Sequence, residues 1–350
     1  MNRLIVRTLE EGGMLRHAYF LWDDVSTASD EGLQAERRGI VSMFNLNKTA
    51  LTRALINGVF RNPGDLWLCT HVNYAMLVLL ANLGRFSRVG VMLHAAELDD
   101  TAFNMAKRFA MRCTGHILAV SDYTKAKAVS HGVSASVVHV VPNGIADPCP
   151  DWKPANRVRS TCTVLFVGRM DERYKGQKEL LGAMEIIRNR LPQVRMVFVG
   201  GGRSLEEWRL MTERRGLQNL VEFAGPVSEE RLTQAYQEAA IFAMPSENEG
   251  FGLVYTEAMA HGLPCIGADR DAAREVILDG ETGFCVPAGN ATALADAITT
   301  LVKLPMLRAA MGQAGRMRFL ENFTTERYAA RLTRDMNDWR DSIVRNKESP

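Results

Sequence analysis

The chain has 350 residues, 47% of them hydrophobic and 23% charged, and its formal net charge is +2. This length favours two domains over one, and the composition is that of an ordinary globular protein. The near-balance of charge argues against a nucleic-acid partner, and six scattered cysteines without a C-x-x-C pair indicate neither a disulfide framework nor a zinc site.

The N-terminal residues contain no long apolar segment followed by a cleavage site, so no signal peptide is predicted. The most apolar run, residues 74–84, is too short to span a bilayer and is interpreted as a buried helix. We therefore expect a cytoplasmic protein. Peripheral contact with the inner face of the membrane is a further possibility that the sequence leaves open.

Strand and helix patterns alternate through the first half of the chain. Apolar runs typical of buried strands occupy residues 17–22, 67–71, 89–94, 116–120 and 137–141. Helix-capable stretches lie at residues 4–11, 48–60 and 101–112. This alternation predicts a parallel sheet covered on both faces, and hence a Rossmann-like N-terminal domain over residues 1–147.

A proline-rich stretch at residues 145–160 has the composition of a linker, and a second alternation follows it. Its strands are predicted at residues 163–167, 195–199, 221–224, 241–244 and 264–268, and its helices at 176–190, 205–215, 229–240 and 291–301. We expect a second Rossmann-like domain over residues 148–322. An amphipathic helix over residues 323–350 is expected to pack back on the first domain. Ligands of such sheets bind outside the carboxyl ends of the strands, so two facing domains would enclose a cleft.

Residues 245–262, PSENEGFGLVYTEAMAHG, follow the strand predicted at residues 241–244. Gly250 and Gly252 let the backbone turn tightly, and the helix that begins after them presents N–H groups and a positive dipole end that suit a phosphate. Glu249 and Glu257 bracket this point and can accept hydrogen bonds from hydroxyl groups. The pairing indicates a ligand with both phosphate and sugar; the alternative is ordinary turn chemistry, with an acid that complements the helix dipole.

A second charged loop, residues 168–176, follows the first strand of the second domain. Arg169 offers a planar fork of donors and Lys175 a point charge, so together they can bind a diphosphate. The alternative is a solvated charged loop. Both loops fall at the carboxyl edge of one predicted sheet, which favours the binding interpretation.

These motifs resemble the GT4 family of retaining glycosyltransferases. The segments that carry the resemblance are GR…KG at residues 168–176, PS…EGFGL…EAMAHGLP at residues 245–264 and EVILDGETG at residues 275–283. The match covers the second domain in order and is thinner in the first, where it comprises residues 120–121 and 141–144. The resemblance implies the GT-B fold, with two Rossmann-like domains and the active site between them.

The resemblance also implies roles for individual residues. Arg169 and Lys175 match the pair that binds the donor diphosphate and steadies it as it leaves. Glu249 and Glu257 match the E-x7-E acids, the first near the donor sugar and the second on the nucleotide ribose. With these cations and a helix dipole at the diphosphate, no metal ion and no cofactor beyond the nucleotide-sugar donor is expected. Whether Glu249 hydrogen-bonds donor hydroxyls or acts as a nucleophile stays open.

The backbone N–H groups of Phe251, Gly252 and Leu253 match the family loop that contacts the donor phosphate and sugar. His94, after a strand of the first domain, matches the family histidine that faces the reacting sugar. The alternative for His94 is a structural hydrogen-bonding role, and His71 is the competing candidate as a cleft-lining residue.

Other patterns point to different chemistry and are interpreted as structural. Asp269 and Asp271 form a D-x-D, which holds a metal in another glycosyltransferase fold but is interpreted here as polar loop. The glycines at residues 200–202 lack the G-x-G-x-x-G spacing, which disfavours a hydride-transfer enzyme. The basic run over residues 203–215 is interpreted as a solvated helix face, with contact to anionic lipid as the minor alternative.

Two departures from the family pattern affect the prediction. Residues 4–11 correspond to the end of the first helix, so the first strand and its glycine-rich loop are not evident. Either Gly12 and Gly13 stand in for that loop or the chain is shortened at its N-terminus, and both alternatives put acceptor binding and activity in question. Arg274 stands where a proline is usual.

The leading hypothesis is a metal-independent hexosyltransferase that uses a nucleotide-sugar donor and a glycan, lipid-linked or small-molecule acceptor, as in polysaccharide biosynthesis. The alternatives are an inactive donor-binding homologue acting as a partner subunit, and a nucleotide-sugar epimerase.

Overall fold

The computed structural model describes residues 2–15, 18–20, 41–43, 48–62, 64–82, 85–99, 105–153, 162–171 and 175–348. Parts of several sequence predictions lie outside these residues, among them residues 21–22, 101–104 and the linker segment 154–160. The chain divides into two compact units, one of residues 1–142 with 325–350 and one of residues 143–324. Within the described residues, no helix is both long and apolar enough to cross a membrane.

The first unit is built on a four-stranded parallel sheet in the order β3-β4-β5-β6. These strands are β3 (Trp67–Cys69), β4 (Val89–Leu93), β5 (His116–Ala119) and β6 (Val138–Val140). Every residue of β4 and β5 is buried, as expected where helices cover both faces of a parallel sheet. Two further strands, β1 (Ala18–Phe20) and β2 (Val41–Met43), pair with each other in parallel.

Among the described residues before the domain junction, the first unit has six α-helices. They are α1 (Asn2–Glu11), α2 (Lys48–Arg61), α3 (Ala75–Ala81), α4 (Ala96–Asp99), α5 (Met105–Cys113) and α6 (Asp122–Ser130). The apolar run at residues 74–84, interpreted from sequence as a buried helix, contains α3, whose Ala75, Val78 and Leu79 are buried. Ser121 caps α6, since its hydroxyl accepts a hydrogen bond from the Thr124 N–H group at 3.0 Å.

The second unit contains a six-stranded parallel sheet in the order β12-β11-β10-β7-β8-β9. Its strands are β7 (Cys162–Val167), β8 (Val194–Val199), β9 (Val221–Gly225), β10 (Ile241–Met244), β11 (Cys265–Ala268) and β12 (Gly283–Val286). The chain builds outward from β7 to β9 on one side, then returns to β10 on the other side of β7. The strand order therefore reverses between β7 and β10, where sheets of this kind bind ligands.

The described part of the second unit contains seven α-helices. They are α7 (Gln177–Ile187), α8 (Leu205–Arg214), α9 (Glu229–Glu238), α10 (Leu253–Ala260), α11 (Ala273–Val276), α12 (Ala291–Lys303) and α13 (Pro305–Asn322). Helix α13 was not among the helices predicted from sequence, and its glycines at 312 and 315 lower helix propensity. In the fold, Gly312 lies against the backbone of Gly262, where a side chain would clash. Arg316 of α13 also binds both carboxylate oxygens of Asp147, each at 2.6 Å.

The last helix, α14 (Thr325–Glu348), belongs to the first unit. Its buried stripe has spacings of three and four residues, which place the side chains on one face: Tyr328, Leu332, Met336, Trp339 and Ile343. This stripe packs against Ile5 and Leu9 of α1 and against Met92 and Leu118 of the sheet. Burial of each large side chain contributes about 1.5–3 kcal/mol, so the stripe accounts for the association of α14 with this unit.

Candidate active site

The two charged loops singled out in the sequence follow neighbouring strands of the second unit. Strands β7 and β10 pair in parallel, with Leu165 opposite Phe242. Residues 168–176 follow β7 and residues 245–252 follow β10, so both loops leave the same edge of the sheet at the point where the strand order reverses. This is the edge at which open α/β sheets bind ligands.

A close backbone contact joins the two loops. Gly176 precedes α7 with a φ of 87°, and a Cβ atom at this position would lie 2.6 Å from the Pro245 ring and carbonyl oxygen. Only glycine fits both the conformation and the space. Because the loops meet here, the Lys175 Nζ lies 2.7 Å from the Glu249 Oε2, and the two side chains are 16% and 18% exposed. The structure thus brings together one predicted cation and one predicted acid.

Arg169 lies on the same loop as Lys175, with its side chain exposed. Its backbone is held by Gln177, the first residue of α7, whose Nε2 donates to the Arg169 carbonyl oxygen at 3.1 Å. The Gln177 side chain is fully buried, and its Oε1 has no hydrogen-bond partner among the described residues. Gln177 therefore fixes the course of the loop, a role that sequence analysis did not assign.

Asp271 holds the backbone at Glu249. Its Oδ2 accepts the Glu249 N–H group at 2.7 Å and its Oδ1 accepts the Ala273 N–H group at 2.9 Å. The Ala272 N–H group donates in turn to the Glu249 carbonyl oxygen at 3.2 Å. Burial raises the pKa of Asp271 to about 7, against the lowering effect of the two backbone donors. The D-x-D is thus more than polar loop, because its second acid is 4% exposed and positions a candidate catalytic residue.

Gly252 sets the start of α10. Its φ of 82° is in the left-handed region, and a side chain here would collide with the ring of Tyr255. The Tyr255 N–H group donates to the Gly252 carbonyl oxygen at 2.9 Å, and its hydroxyl donates to the Met244 carbonyl oxygen at the end of β10. The first turn of α10, which starts with Leu253, therefore presents its N-terminus at the ligand-binding edge of the sheet.

Phe251 is anchored by burial of its side chain, and the residue is 4% exposed. Its ring packs edge-to-face against Phe323, with a centroid distance of 5.7 Å. The side chain therefore belongs to the core of the second unit, and only the backbone of Phe251 is suited to the donor-binding role that the resemblance implies.

Glu257 lies one turn into α10, where Tyr236 of α9 donates a hydrogen bond to its Oε2 at 2.7 Å. Burial raises the pKa of Glu257, and the Tyr236 hydroxyl acts in the opposite direction. Tyr236 is itself buried and stacks on His261, with ring centroids 4.9 Å apart. Tyr236 carries no local sequence signal for this role, since it precedes Glu257 by 21 residues and lies on another helix.

His94 lies in the first unit, directly after β4, and is half-buried. Its backbone N–H group donates to the Glu97 Oε1 at 2.6 Å. Burial lowers the pKa of His94, while the nearby Glu97 carboxylate raises it and His71 lowers it. The next residue, Ala95, has a φ of 74°, an uncommon conformation for a residue other than glycine. His71 is exposed, and its Nδ1 accepts the Asn73 N–H group at 3.2 Å.

Comparison with known families and proteins gives consistent matches. Residues 152–318 match the family model for glycosyl transferases group 1. The chain is 32% identical over 285 residues to the GDP-mannose-dependent alpha-(1-6)-phosphatidylinositol monomannoside mannosyltransferase of Mycolicibacterium smegmatis, covering 76% of this chain and 74% of that protein. It is 37% identical over 201 residues to the phosphatidyl-myo-inositol mannosyltransferase of Mycobacterium leprae, covering 57% of this chain and 52% of that protein.

Solved structures agree on the fold. The Anabaena protein HepE in complex with UDP superposes with a TM-score of 0.78 at 19% identity, covering 96% of each chain. The apo form of the lipopolysaccharide outer core galactosyltransferase WaaB superposes with a TM-score of 0.71 at 17% identity, covering 98% of this chain and 96% of that one. Both comparisons match the arrangement of two Rossmann-like sheets expected from the sequence.

Proposed function

The chain belongs to the glycosyl transferases group 1 (GT4) family and is a glycosyltransferase of the GT-B fold, and within that family we propose that it transfers mannose from GDP-mannose to a phosphatidylinositol-type lipid, with retention of anomeric configuration. The observation that carries the proposal is the Lys175–Glu249 pair at the reversal of strand order. It joins a cation suited to a diphosphate with an acid suited to a sugar.

Departure of the nucleoside diphosphate builds negative charge on the phosphate oxygens. Lys175 and Arg169 supply positive charge on one loop, and the N-terminus of α10 supplies backbone donors on the other. Preorganised donors of this kind stabilise a leaving group without reorganising at the moment of reaction. These groups take the part that a divalent cation plays at other diphosphate sites, so the proposed mechanism at this edge needs no metal ion.

The two acids take separate roles in the proposal. Glu249 hydrogen-bonds donor-sugar hydroxyls and stabilises the positive charge that develops at the anomeric carbon, since it lies on the loop next to Lys175. Glu257 accepts hydrogen bonds from the ribose hydroxyls, and the Tyr236 hydroxyl orients its carboxylate. His94 stays a candidate catalytic residue on the first unit. Substitution of His71, the competing histidine, is the matched comparison for substitution of His94.

The choice of donor and acceptor is supported by the sequence relatives. The M. smegmatis relative is a GDP-mannose-dependent enzyme that acts on phosphatidylinositol monomannoside, by its name, and the M. leprae relative is a phosphatidyl-myo-inositol mannosyltransferase. The structural neighbours include UDP and UDP-glucose complexes, but at about one-fifth identity they support the fold alone. GDP-mannose is therefore the first donor to test, with UDP-sugars as the comparison.

A lipid acceptor is also supported by the surface of α5. Met105 and Phe109 are 85% and 58% exposed, and the basic residues Arg108 and Arg112 lie beside them in the sequence and are also exposed. Exposed apolar and basic side chains on one helix favour peripheral contact with an anionic membrane surface. We place the proposed membrane contact here.

The basic run around α8 has a different environment. The Arg209 Nη1 lies 3.6 Å from the Glu206 Oε2. The Arg215 Nη1 lies 3.5 Å from the Glu185 Oε2. Acidic neighbours reduce the attraction of these arginines to anionic lipid. This part of the surface therefore fits a solvated helix face better than a membrane contact.

The test is a panel of nucleotide sugars assayed for binding and for transfer to phosphatidylinositol in vesicles. We expect GDP-mannose to be turned over, with an α-mannosyl product by nuclear magnetic resonance. Preference for UDP-glucose or UDP-galactose would reassign the donor, and turnover only with soluble glycans would reassign the acceptor. Binding of a nucleotide sugar without transfer or slow hydrolysis would contradict the proposed activity and favour the partner-subunit alternative.

A further inference from the structure

Two histidines and one aspartate meet on the first unit, and they share no residue with the proposed donor site. His116 begins β5, and His139 lies in β6, where it pairs with Leu118. Residues 116 and 118 of one strand point to the same face of a sheet, so the two histidines are diagonal neighbours on one face. Asp335 reaches them from α14.

The carboxylate lies between the two imidazole rings. The His116 Nε2 is 2.5 Å from the Asp335 Oδ2, and the His139 Nδ1 is 3.1 Å from the Asp335 Oδ1. One nitrogen of each ring and one carboxylate oxygen all lie within 4.8 Å of one another. The His116 ring is also stacked on Trp339, with centroids 4.6 Å apart and an interplanar angle of 7°. Packing therefore fixes the orientation of one ring.

We propose that His116, His139 and Asp335 form a binding site for a transition-metal ion of the zinc class, which ties α14 to the sheet of the first unit. Two imidazole nitrogens and one carboxylate oxygen are a ligand set that zinc prefers, and they leave a fourth tetrahedral position for water. In each histidine the ligating nitrogen carries no proton when metal is bound, so its proton lies on the other ring nitrogen.

The required adjustment is small. Metal–ligand distances of about 2.0–2.2 Å place tetrahedral ligand atoms roughly 3.3 Å apart. A separation of up to 4.8 Å must therefore close by about 1.5 Å, and the His116 Nε2 and Asp335 Oδ2 atoms, 2.5 Å apart, must separate by about 0.8 Å. The side chains of His116 and Asp335 are only 4% and 11% exposed, whereas that of His139 is 43% exposed. His139 thus has the most room to move, and the two buried side chains need only the smaller shift.

A cleft of about 580 Å³ beside the cluster gives access from solvent. Both His139 and Asp335 line it, as do three cationic and two further acidic side chains: Lys125, Arg331, Arg334, Asp122 and Asp338. Two neutral imidazoles and one carboxylate leave a divalent ion with a net charge of about +1. The mixed lining accommodates that charge and favours a water or a small anion as the fourth ligand.

Metal binding should stabilise the first unit, because the ion would join α14 to the distant strands β5 and β6 only in the folded state. Linkage between binding and folding gives a rise in Tm of several degrees at saturating metal. The effect should depend on His139 and on Asp335.

The experiment uses the full chain, with any polyhistidine tag removed and after treatment with a chelator. Zinc chloride is titrated calorimetrically, and cobalt chloride is followed by its visible absorption bands. We expect one equivalent to bind and His139→Ala to weaken binding by at least about tenfold. Asp335→Asn should have a similar effect. His131→Ala is the matched control and should leave the affinity unchanged, because His131 lies outside the cluster.

Equal zinc affinity in the wild type and in His139→Ala would overturn the proposal, since the ion would then be held elsewhere, for example by the cysteines. Absence of binding to the wild type at micromolar zinc would also overturn it and leave a hydrogen-bonded cluster only. Circular dichroism of each variant checks that lost binding does not reflect lost folding. His139 suits this test because its exposed side chain contributes little to the core.

Discussion

Replacing Glu249 by glutamine separates its role toward the sugar from its contact with Lys175. Glutamine keeps the size of the side chain and removes its negative charge. The Lys175 Nζ lies 2.7 Å from the Glu249 Oε2, and both side chains are less than one-fifth exposed. A diphosphate must therefore compete with the Glu249 carboxylate for the ammonium group. We expect Glu249→Gln to lose transfer activity and to bind GDP more tightly than the wild type.

The expected change in GDP affinity follows from the strength of the Lys175–Glu249 ion pair. A hydrogen bond between charged groups contributes about 1.5–3 kcal/mol, and an exposed ion pair contributes about 1 kcal/mol or less. For this partly buried pair we take about 1–2 kcal/mol, which corresponds to GDP binding that is roughly 5–30-fold tighter. Loss of stabilisation at the anomeric centre should lower kcat by at least about 100-fold.

The assay compares calorimetric titrations with GDP and initial rates with the donor identified by the panel. Glu247→Gln is the matched control, because Glu247 lies two residues earlier in the same loop and is exposed. The control should retain wild-type GDP affinity and turnover. Thermal unfolding of both variants tests whether the loop stays folded.

Two results would refute this reasoning. Turnover by Glu249→Gln at the wild-type rate would remove Glu249 from the catalytic machinery. A tenfold loss of GDP affinity would show that the carboxylate supports the diphosphate site and does not compete with it. In the second case its contribution would be the positioning of Lys175.

Three further predictions concern neighbouring groups. Lys175→Ala should weaken GDP binding by roughly 10–100-fold, and unchanged affinity by calorimetry would exclude it from the diphosphate site. Tyr236→Phe removes a hydrogen bond that lowers the pKa of Glu257, so the KM for donor should rise more steeply on acidification than in the wild type; parallel pH profiles would contradict this. Asp271 has a pKa near 7 in the folded chain and about 3.9 when unfolded, so its stabilising effect is full below about pH 4 and is lost as pH rises through 7. Scanning calorimetry should therefore show a smaller fall in Tm between pH 5 and 8 for Asp271→Asn than for the wild type, and an equal fall would refute the assignment.

The parts of the site that could be predicted from sequence are those with local signals. Glycine before a helix, a helix ended by glycine and two acids at a fixed spacing all lie within residues 245–262. The structure confirms a helix over Leu253–Ala260, and Gly262 beyond it has the left-handed φ of 70° typical of a helix end. The two parallel sheets were likewise predictable from the alternation of strand and helix patterns, because each pattern depends on residues close together in the chain.

The parts that could not be predicted depend on contacts between distant segments. Asp271 reaches Glu249 from the loop after β11, and Tyr236 reaches Glu257 from α9. A D-x-D in a loop does not reveal that its second acid, Asp271, is buried against the loop that carries Glu249. The cluster on the first unit is a stronger case, since His116 and Asp335 are separated by 219 residues. Only the return of α14 to the first unit brings them together.

The order of the strands explains why Lys175 and Glu249 form a pair at all. They are separated by 74 residues, yet β7 and β10 are neighbours because the chain reverses its direction of growth between them. In this pair each charged group compensates the other, which avoids the cost of a partly buried unpaired charge. In the proposed reaction, an arriving diphosphate binds the Lys175 ammonium group and releases the Glu249 carboxylate toward the sugar. Binding of the leaving group would then prepare the acid for its part in the reaction, which is why tighter GDP binding by Glu249→Gln is the result to look for.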